Sequence, residues 1–89
     1  MQLIVTDEFI KRYQELPKAI QAKAAKQEKL FRQNPFYPSL HTEKLEPKNQ
    51  QVWSFRIDKN YRIIFRWLKR NQVLFLTVGH HNWIYKFNF

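Results

Sequence analysis

Cysteine is absent from this chain of 89 residues, glycine occurs once, and seven acidic residues face sixteen lysines and arginines. Each scarcity excludes something. Without cysteine there is neither a disulfide framework nor a thiol nucleophile. A single glycine cannot build a loop that cradles phosphate through consecutive backbone amides. No apolar run approaches the roughly 20 residues that a membrane-spanning helix needs. The N-terminus also lacks the basic start and apolar stretch of a secretion signal. These features lead us to expect a cytoplasmic protein with no membrane association, folded as one domain over residues 1–89. A chain this short buries only about 60–65% of its unfolded surface, so its core is thin. Eight Phe, four Tyr and three Trp supply much of it.

The positive charge is unevenly spread. Residues 1–51 carry nine Lys/Arg and six Asp/Glu, whereas residues 52–89 carry seven and one, giving +3 and +6 of the total +9. The excess points to a polyanionic partner such as RNA, DNA or an acidic protein.

Local patterns order the chain. Gln2 to Val5 is a short β-type run. Thr6 or Asp7 can cap a helix, whose buried stripe is Phe9, Ile10, Tyr13 and Leu16. Pro17 ends that helix and starts a second, running to about Gln33 and closed by Asn34-Pro35. Its stripe is Ile20, Ala24, Leu30 and Phe31, interrupted by Gln27, and its lysines face solvent. Residues 36–51 have no clear period and read as a loop, anchored by Leu40 and Leu45.

From Val52 to Tyr85 the sequence VWSFRIDKNYRIIFRWLKRNQVLFLTVGHHNWIY contains three β-patterned runs. A three-residue loop, Asp58-Lys59-Asn60, pairs Trp53 with Phe65, Phe55 with Ile63 and Arg56 with Arg62, and Asn60 is the residue suited to a positive φ. Trp53, Phe55, Ile57, Tyr61, Ile63, Phe65 and Trp67 then share an apolar face. Ser54, Arg56, Arg62, Ile64 and Arg66 share the other. A second turn at 69–72 is expected to pair Trp67 with Leu74, Phe65 with Leu76, Ile63 with Val78 and Arg62 with Gly79. Gly79, beside an arginine, would leave the backbone open to a ligand. If the strand continues, His81 shares parity with Gly79, Thr77 and Phe75 and joins the arginine side, while His80 has core parity and reads as structural. The final HHNWIYKFNF fits either a strand, with His81, Trp83, Tyr85, Phe87 and Phe89 alternating, or a short helix. The order β-α-α-β-β-β predicts an α+β fold, with the helices on the apolar face of a small, mainly antiparallel sheet.

Arg56 opposite Arg62 is repulsive unless an anion lies between them. Adjacent His80 and His81 point opposite ways in a strand and lack nearby carboxylates, so no metal and no cofactor is expected. The chemistry left is carried by Arg56, Arg62, His81 and Tyr85, with Lys44 beside them. Arginine forks suit a phosphodiester. A histidine can protonate a departing 5′-oxygen. In RNA the 2′-hydroxyl supplies the nucleophile, and an aromatic ring can stack on an unpaired base.

VWSFRIDKNYRIIFR followed by LTVGHHNWIY resembles the RelE/ParE toxin superfamily, particularly its RelE-like ribonuclease branch. NPFYPSLHTEKL resembles that family's NP-x-x-P-S-L-x-x-x-KL loop, so the similarity spans nearly the whole chain. The resemblance implies a small sheet with helices on one face, cleavage of mRNA in the ribosomal A site, and an acidic antitoxin partner. By motif, Arg56 and Arg62 match phosphate-contacting positions, His81 a catalytic acid, Tyr85 the C-terminal aromatic and Lys44 a basic position. Lys44, Arg66 and Trp83 are the expected RNA contacts. Arg62 and His81 are both expected to be exposed. Relatives commonly read HHDEVY where this chain has HHNWIY, so Asn82 and Trp83 replace two acids and leave no obvious carboxylate base. The same superfamily includes toxins that bind DNA gyrase, and an inactive nucleic-acid-binding relative is a third possibility. The histidine pair favours the ribonuclease, because gyrase inhibition needs no proton donor.

Overall fold

The computed structural model describes residues 1–47 and 50–86. Strand β1 (Gln2–Val5) leads into α1 (Asp7–Glu15) and α2 (Lys18–Gln33). A single 3₁₀ turn (Pro38–Leu40) precedes β2 (Glu43–Lys44), β3 (Trp53–Arg56), β4 (Tyr61–Lys69), β5 (Gln72–His80) and α3 (His81–Ile84). The strands form one sheet in the order β1-β5-β4-β3-β2. Among the described residues only the β1–β5 pair is parallel. This is the expected α+β arrangement. It also places the first strand, which no local pattern could position, at the edge beside β5.

Thr6 sets the entry to α1. Its hydroxyl accepts from the Phe9 N–H at 3.0 Å, capping the helix, and donates to the Leu76 carbonyl at 2.8 Å. Asp7 and Glu8 lie at the positive end of the helix dipole. At the α1–α2 corner, Gln21 Nε2 donates to the Tyr13 and Leu16 carbonyls at 3.1 Å each. The Leu16 carbonyl is thereby satisfied past the helix end, and the Tyr13 carbonyl, which already accepts the Leu16 N–H at 3.1 Å, gains a second donor.

The main core lies between the helices and one sheet face. Phe31 of α2 is its hub, packed against Phe55, Phe65, Phe75 and Trp67 with ring centroids 4.6, 5.0, 5.8 and 6.2 Å away. Gln27 does not interrupt the helix stripe. It is buried, and its Nε2 donates to the Arg56 carbonyl at 3.0 Å. A polar side chain here is tolerated because its amide ties α2 to β3.

The first hairpin has the expected register, with Arg56 opposite Arg62. Its loop closes differently from expectation. Positive φ among non-glycine described residues occurs only at His41 and Gln51, so Asn60 does not supply it. Asp58 Oδ1 accepts instead from the Asn60 and Tyr61 N–H groups at 2.8 and 2.9 Å.

The second hairpin corrects the expected register. Ile63 pairs with Val78 and Arg62 with Gly79, but Phe65 pairs with Phe75 and Trp67 with Val73. Leu76 is an extra residue in β5 and Leu68 in β4, and each bulge shifts the pairing by one. Phe75 and Val73 therefore point into the main core, not toward the arginine side.

The opposite face is not left open either. Val52, Ile64 and Ile84 are buried there as a second cluster, flanked by Leu45, Leu76 and Trp83. The segment after His80 is a helix over residues 81–84, the second of the two sequence alternatives. Phe87 and Phe89 lie outside the described residues.

Candidate active site

Arg56, Arg62 and Gly79 form one transverse row across β3, β4 and β5. The Arg56 side chain is half-buried, and its guanidinium has no hydrogen-bond or ion-pair partner among the described residues. Arg62 is only 9% exposed, which corrects the expectation of an open side chain. Its Nη1 donates to the Asp58 carbonyl at 2.8 Å and to the Tyr61 carbonyl at 3.1 Å. The hairpin loop thus fixes the arginine rather than leaving it to fan into water.

The same loop holds the histidine segment. The His81 N–H donates to the Asn60 carbonyl at 2.7 Å. The His81 side chain is exposed, and its ring stacks on His80 with centroids 4.7 Å apart. His80 packs edge-on against Tyr61 at 5.2 Å and caps α3 through Nδ1, which accepts from the Asn82 N–H at 3.1 Å. Tyr85 ends α3 and is 46% exposed. Arg62 and His81 are therefore tied to one three-residue loop.

Asp58 organises that loop electrostatically. Burial opposes ionisation of its carboxyl. The Asn60 and Tyr61 N–H groups and the Lys23 ammonium, 3.5 Å away, outweigh burial and hold the pKa below the usual aspartate value.

The other expected contacts are dispersed. Lys44 pairs with Trp53 and so projects to the helix side of the sheet, away from the arginine row. Arg66 Nη2 donates to the Gln50 carbonyl at 3.2 Å, while its buried Nε has no partner. The Trp83 indole occupies the space beside Gly79, so that glycine does not leave the backbone open. Arg12 lies over the indole ring, 4.8 Å from its centroid. Arg12 in turn bonds Glu8 at 2.8 Å. That hydrogen bond is the main reason the Glu8 pKa lies below, and the Arg12 pKa above, its ordinary value. A cleft of about 210 Å³ opens between the α1–α2 corner and α3, with Arg12, Glu15, Tyr61, His80 and Trp83 in its walls.

One residue escaped the sequence reading. Glu43 is exposed and sits opposite Ser54, so it shares a face with Arg56. A two-residue strand has no period from which its facing could be read. The signal was only the presence of a carboxylate three residues after Leu40. Among the described residues no three His, Cys, Asp or Glu side chains cluster closely enough to hold a metal ion. No helix among them is long and apolar enough to cross a membrane.

Comparison with known proteins adds to this geometry. Residues 18–83 match the family model for a ParE-like toxin domain. No curated protein shows significant sequence similarity to the chain. Among solved structures, a YoeB/ParE toxin from Agrobacterium tumefaciens superposes with TM-score 0.74 at 20% identity, covering 91% of this chain and 99% of that one. The E. coli DinJ-YafQ toxin-antitoxin complex gives 0.77 at 12% identity, covering 94% and 96%. The archaeal RelE-RelB complex from Pyrococcus horikoshii gives 0.68 at 20% identity, covering 89% and 92%. At these identities the likeness is one of fold.

Proposed function

Because the chain belongs to the ParE-like toxin domain family, within the RelE/ParE toxin superfamily, we propose that it is the toxin of a toxin–antitoxin pair and cleaves mRNA in the ribosomal A site. The observation that carries this reading is the Arg56–Arg62 pair, with Arg62 fixed by the hairpin loop and an exposed histidine tied to the same loop. Inhibition of gyrase by surface binding requires no such proton donor.

In this reaction the 2′-oxygen attacks phosphorus and the 5′-oxygen leaves. The products are a 2′,3′-cyclic phosphate and a 5′-hydroxyl end. Arg62, held by two carbonyls, is preorganised to stabilise the charge that grows on the phosphoryl oxygens. Arg56, without a partner among the described residues, supplies the second cation, and the phosphate offsets the repulsion between the two. His81 protonates the 5′-oxygen. Glu43, which shares the Arg56 face, is assigned the role of taking the 2′-hydroxyl proton. Tyr85 is exposed at the end of α3 and available to the substrate. The nucleophile comes from the RNA itself, so this route needs no metal-bound water.

An acidic antitoxin fits the net charge of +9. The solved relatives above include a RelE bound to RelB and a YafQ bound to DinJ. Co-expression of the cognate antitoxin should restore growth, and the complex should weaken at high salt.

The test is to induce the protein and map mRNA 5′ ends. New ends inside translated codons support the ribonuclease. The ParE-like description of the family model keeps gyrase as the second reading. Intact mRNA with accumulated cleaved DNA would establish it, and intact mRNA and DNA together would indicate an inactive nucleic-acid-binding relative.

A further inference from the structure

We propose that Trp83 is a positioning residue: its indole, seated on Gly79, holds α3 against the sheet and so fixes His81 on the hairpin loop that also holds Arg62. This rests on the reading of His81 as the proton donor. Gly79 does not have a positive φ, so its backbone conformation does not demand glycine. The space does. A Cβ at residue 79 would lie 2.6 Å from Trp83 Cε2 and 2.8 Å from Cη2, and closer still to Cζ2. No side chain fits there while the indole is in place.

Helix α3 has four residues, far too few to persist on its own. Packing must hold it. Ile84 is fully buried against Ile64 and Val52, and the indole fills the Gly79 notch. Arg12 covers the ring and is itself held by Glu8 and Glu15 at 2.8 and 3.6 Å. Glu8 also accepts from the Thr77 hydroxyl at 3.2 Å. A continuous strut therefore runs from β5 through α1 to the indole and back to β5. The ring face under Arg12 is not free for a base, which turns Trp83 from an RNA-stacking residue into a support.

The test uses the full-length protein and two readouts. One is hydrogen exchange at the His81 amide, which bonds the Asn60 carbonyl. The other is single-turnover cleavage of ribosome-bound mRNA as a function of ribosome concentration. Trp83→Ala should speed His81 exchange by roughly tenfold or more, because a local packing unit is lost. It should also lower the cleavage rate at saturation without weakening the apparent affinity. Gly79→Ala should do the same, and adding it to Trp83→Ala should cost little further. Trp83→Phe should recover part of both losses. Arg12→Met, which leaves the notch intact, should move both readouts less but in the same direction, and it serves if the larger changes prevent folding. Unchanged His81 exchange across these variants would overturn the proposal. So would a loss of affinity alone, which is the signature of base stacking. If the wild-type protein cleaves no RNA, exchange still decides the positioning claim, and only the functional reading fails.

Discussion

Replacing Arg62 with alanine should cost stability as well as catalysis, and the structure allows the two losses to be separated. Arg62 is 9% exposed, and its guanidinium makes two bonds through Nη1, at 2.8 Å to the Asp58 carbonyl and 3.1 Å to the Tyr61 carbonyl. Hydrogen bonds from charged groups contribute about 1.5–3 kcal/mol each. The full sum does not apply. The Tyr61 carbonyl keeps its bond from the Ile57 N–H at 2.9 Å, and Asp58 is a partly exposed hairpin-turn residue. Removing the repulsion from Arg56 returns a further ~0.2–1 kcal/mol. A net loss of about 2 kcal/mol remains, which lowers the melting temperature by roughly 8–16 °C for a domain of this size. Cleavage should fall by about 10²–10³, the usual effect of removing one donor that stabilises transition-state charge. Urea denaturation measures the first quantity. Single-turnover cleavage at saturating ribosomes, well below the lowered midpoint, measures the second. A wild-type urea midpoint would show that the loop does not hold Arg62. Wild-type cleavage would remove it from the site.

Further outcomes follow from the same geometry. His81→Ala should leave the melting temperature within about 1–2 °C, because its side chain is exposed, while the rate falls by roughly 10²–10⁴; a wild-type rate would move the acid role to Tyr85. Glu43→Gln, also an exposed replacement, should lower the rate without a change in stability, and an unaltered rate would exclude it as the base. Asp58 carries the pH dependence. Its folded pKa is depressed, so its contribution to stability is fully present above the ordinary aspartate pKa and is lost as pH falls through the depressed value. Asp58→Asn keeps an oxygen acceptor for the Asn60 and Tyr61 amides but not the charge. Its urea midpoint should therefore fall below wild type at pH 6 and converge with wild type in strong acid. A constant difference at every pH would show that the carboxylate charge does not contribute.

How much of this was legible in the chain depends on the length of each pattern. The first hairpin was, because Trp53 to Trp67 alternates apolar and polar residues strongly enough to set parity and register, including Arg56 opposite Arg62. The second was legible only in part. Val73-Leu74-Phe75-Leu76 is apolar at every position because β5 is covered on both faces, by the main core and by the α3 cluster. An unbroken apolar run does not specify register, so the bulge at Leu76 left no mark. The depth of Arg62 was hidden for a related reason. Its parity was right, but its side chain turns back to bond the Asp58 and Tyr61 carbonyls, which alternation along the strand does not announce. The seat of Trp83 on Gly79 depends on a chain reversal after His80, and the facing of Glu43 depends on a two-residue strand. Neither has a periodic signal. The arginine pair and the histidine were visible because their residue types and spacing survive without knowledge of packing.

The most direct measurement uses ribosomes programmed with an mRNA carrying one 2′-deoxynucleotide on the 5′ side of the scissile phosphate in the A-site codon, compared with the all-ribose message. With purified protein, the ribose message should be cut to give a 2′,3′-cyclic phosphate and a 5′-hydroxyl end, and the deoxy message should remain whole. Cleavage of both messages at equal rates, or of neither while gyrase-linked DNA breaks accumulate in cells, would contradict the assignment.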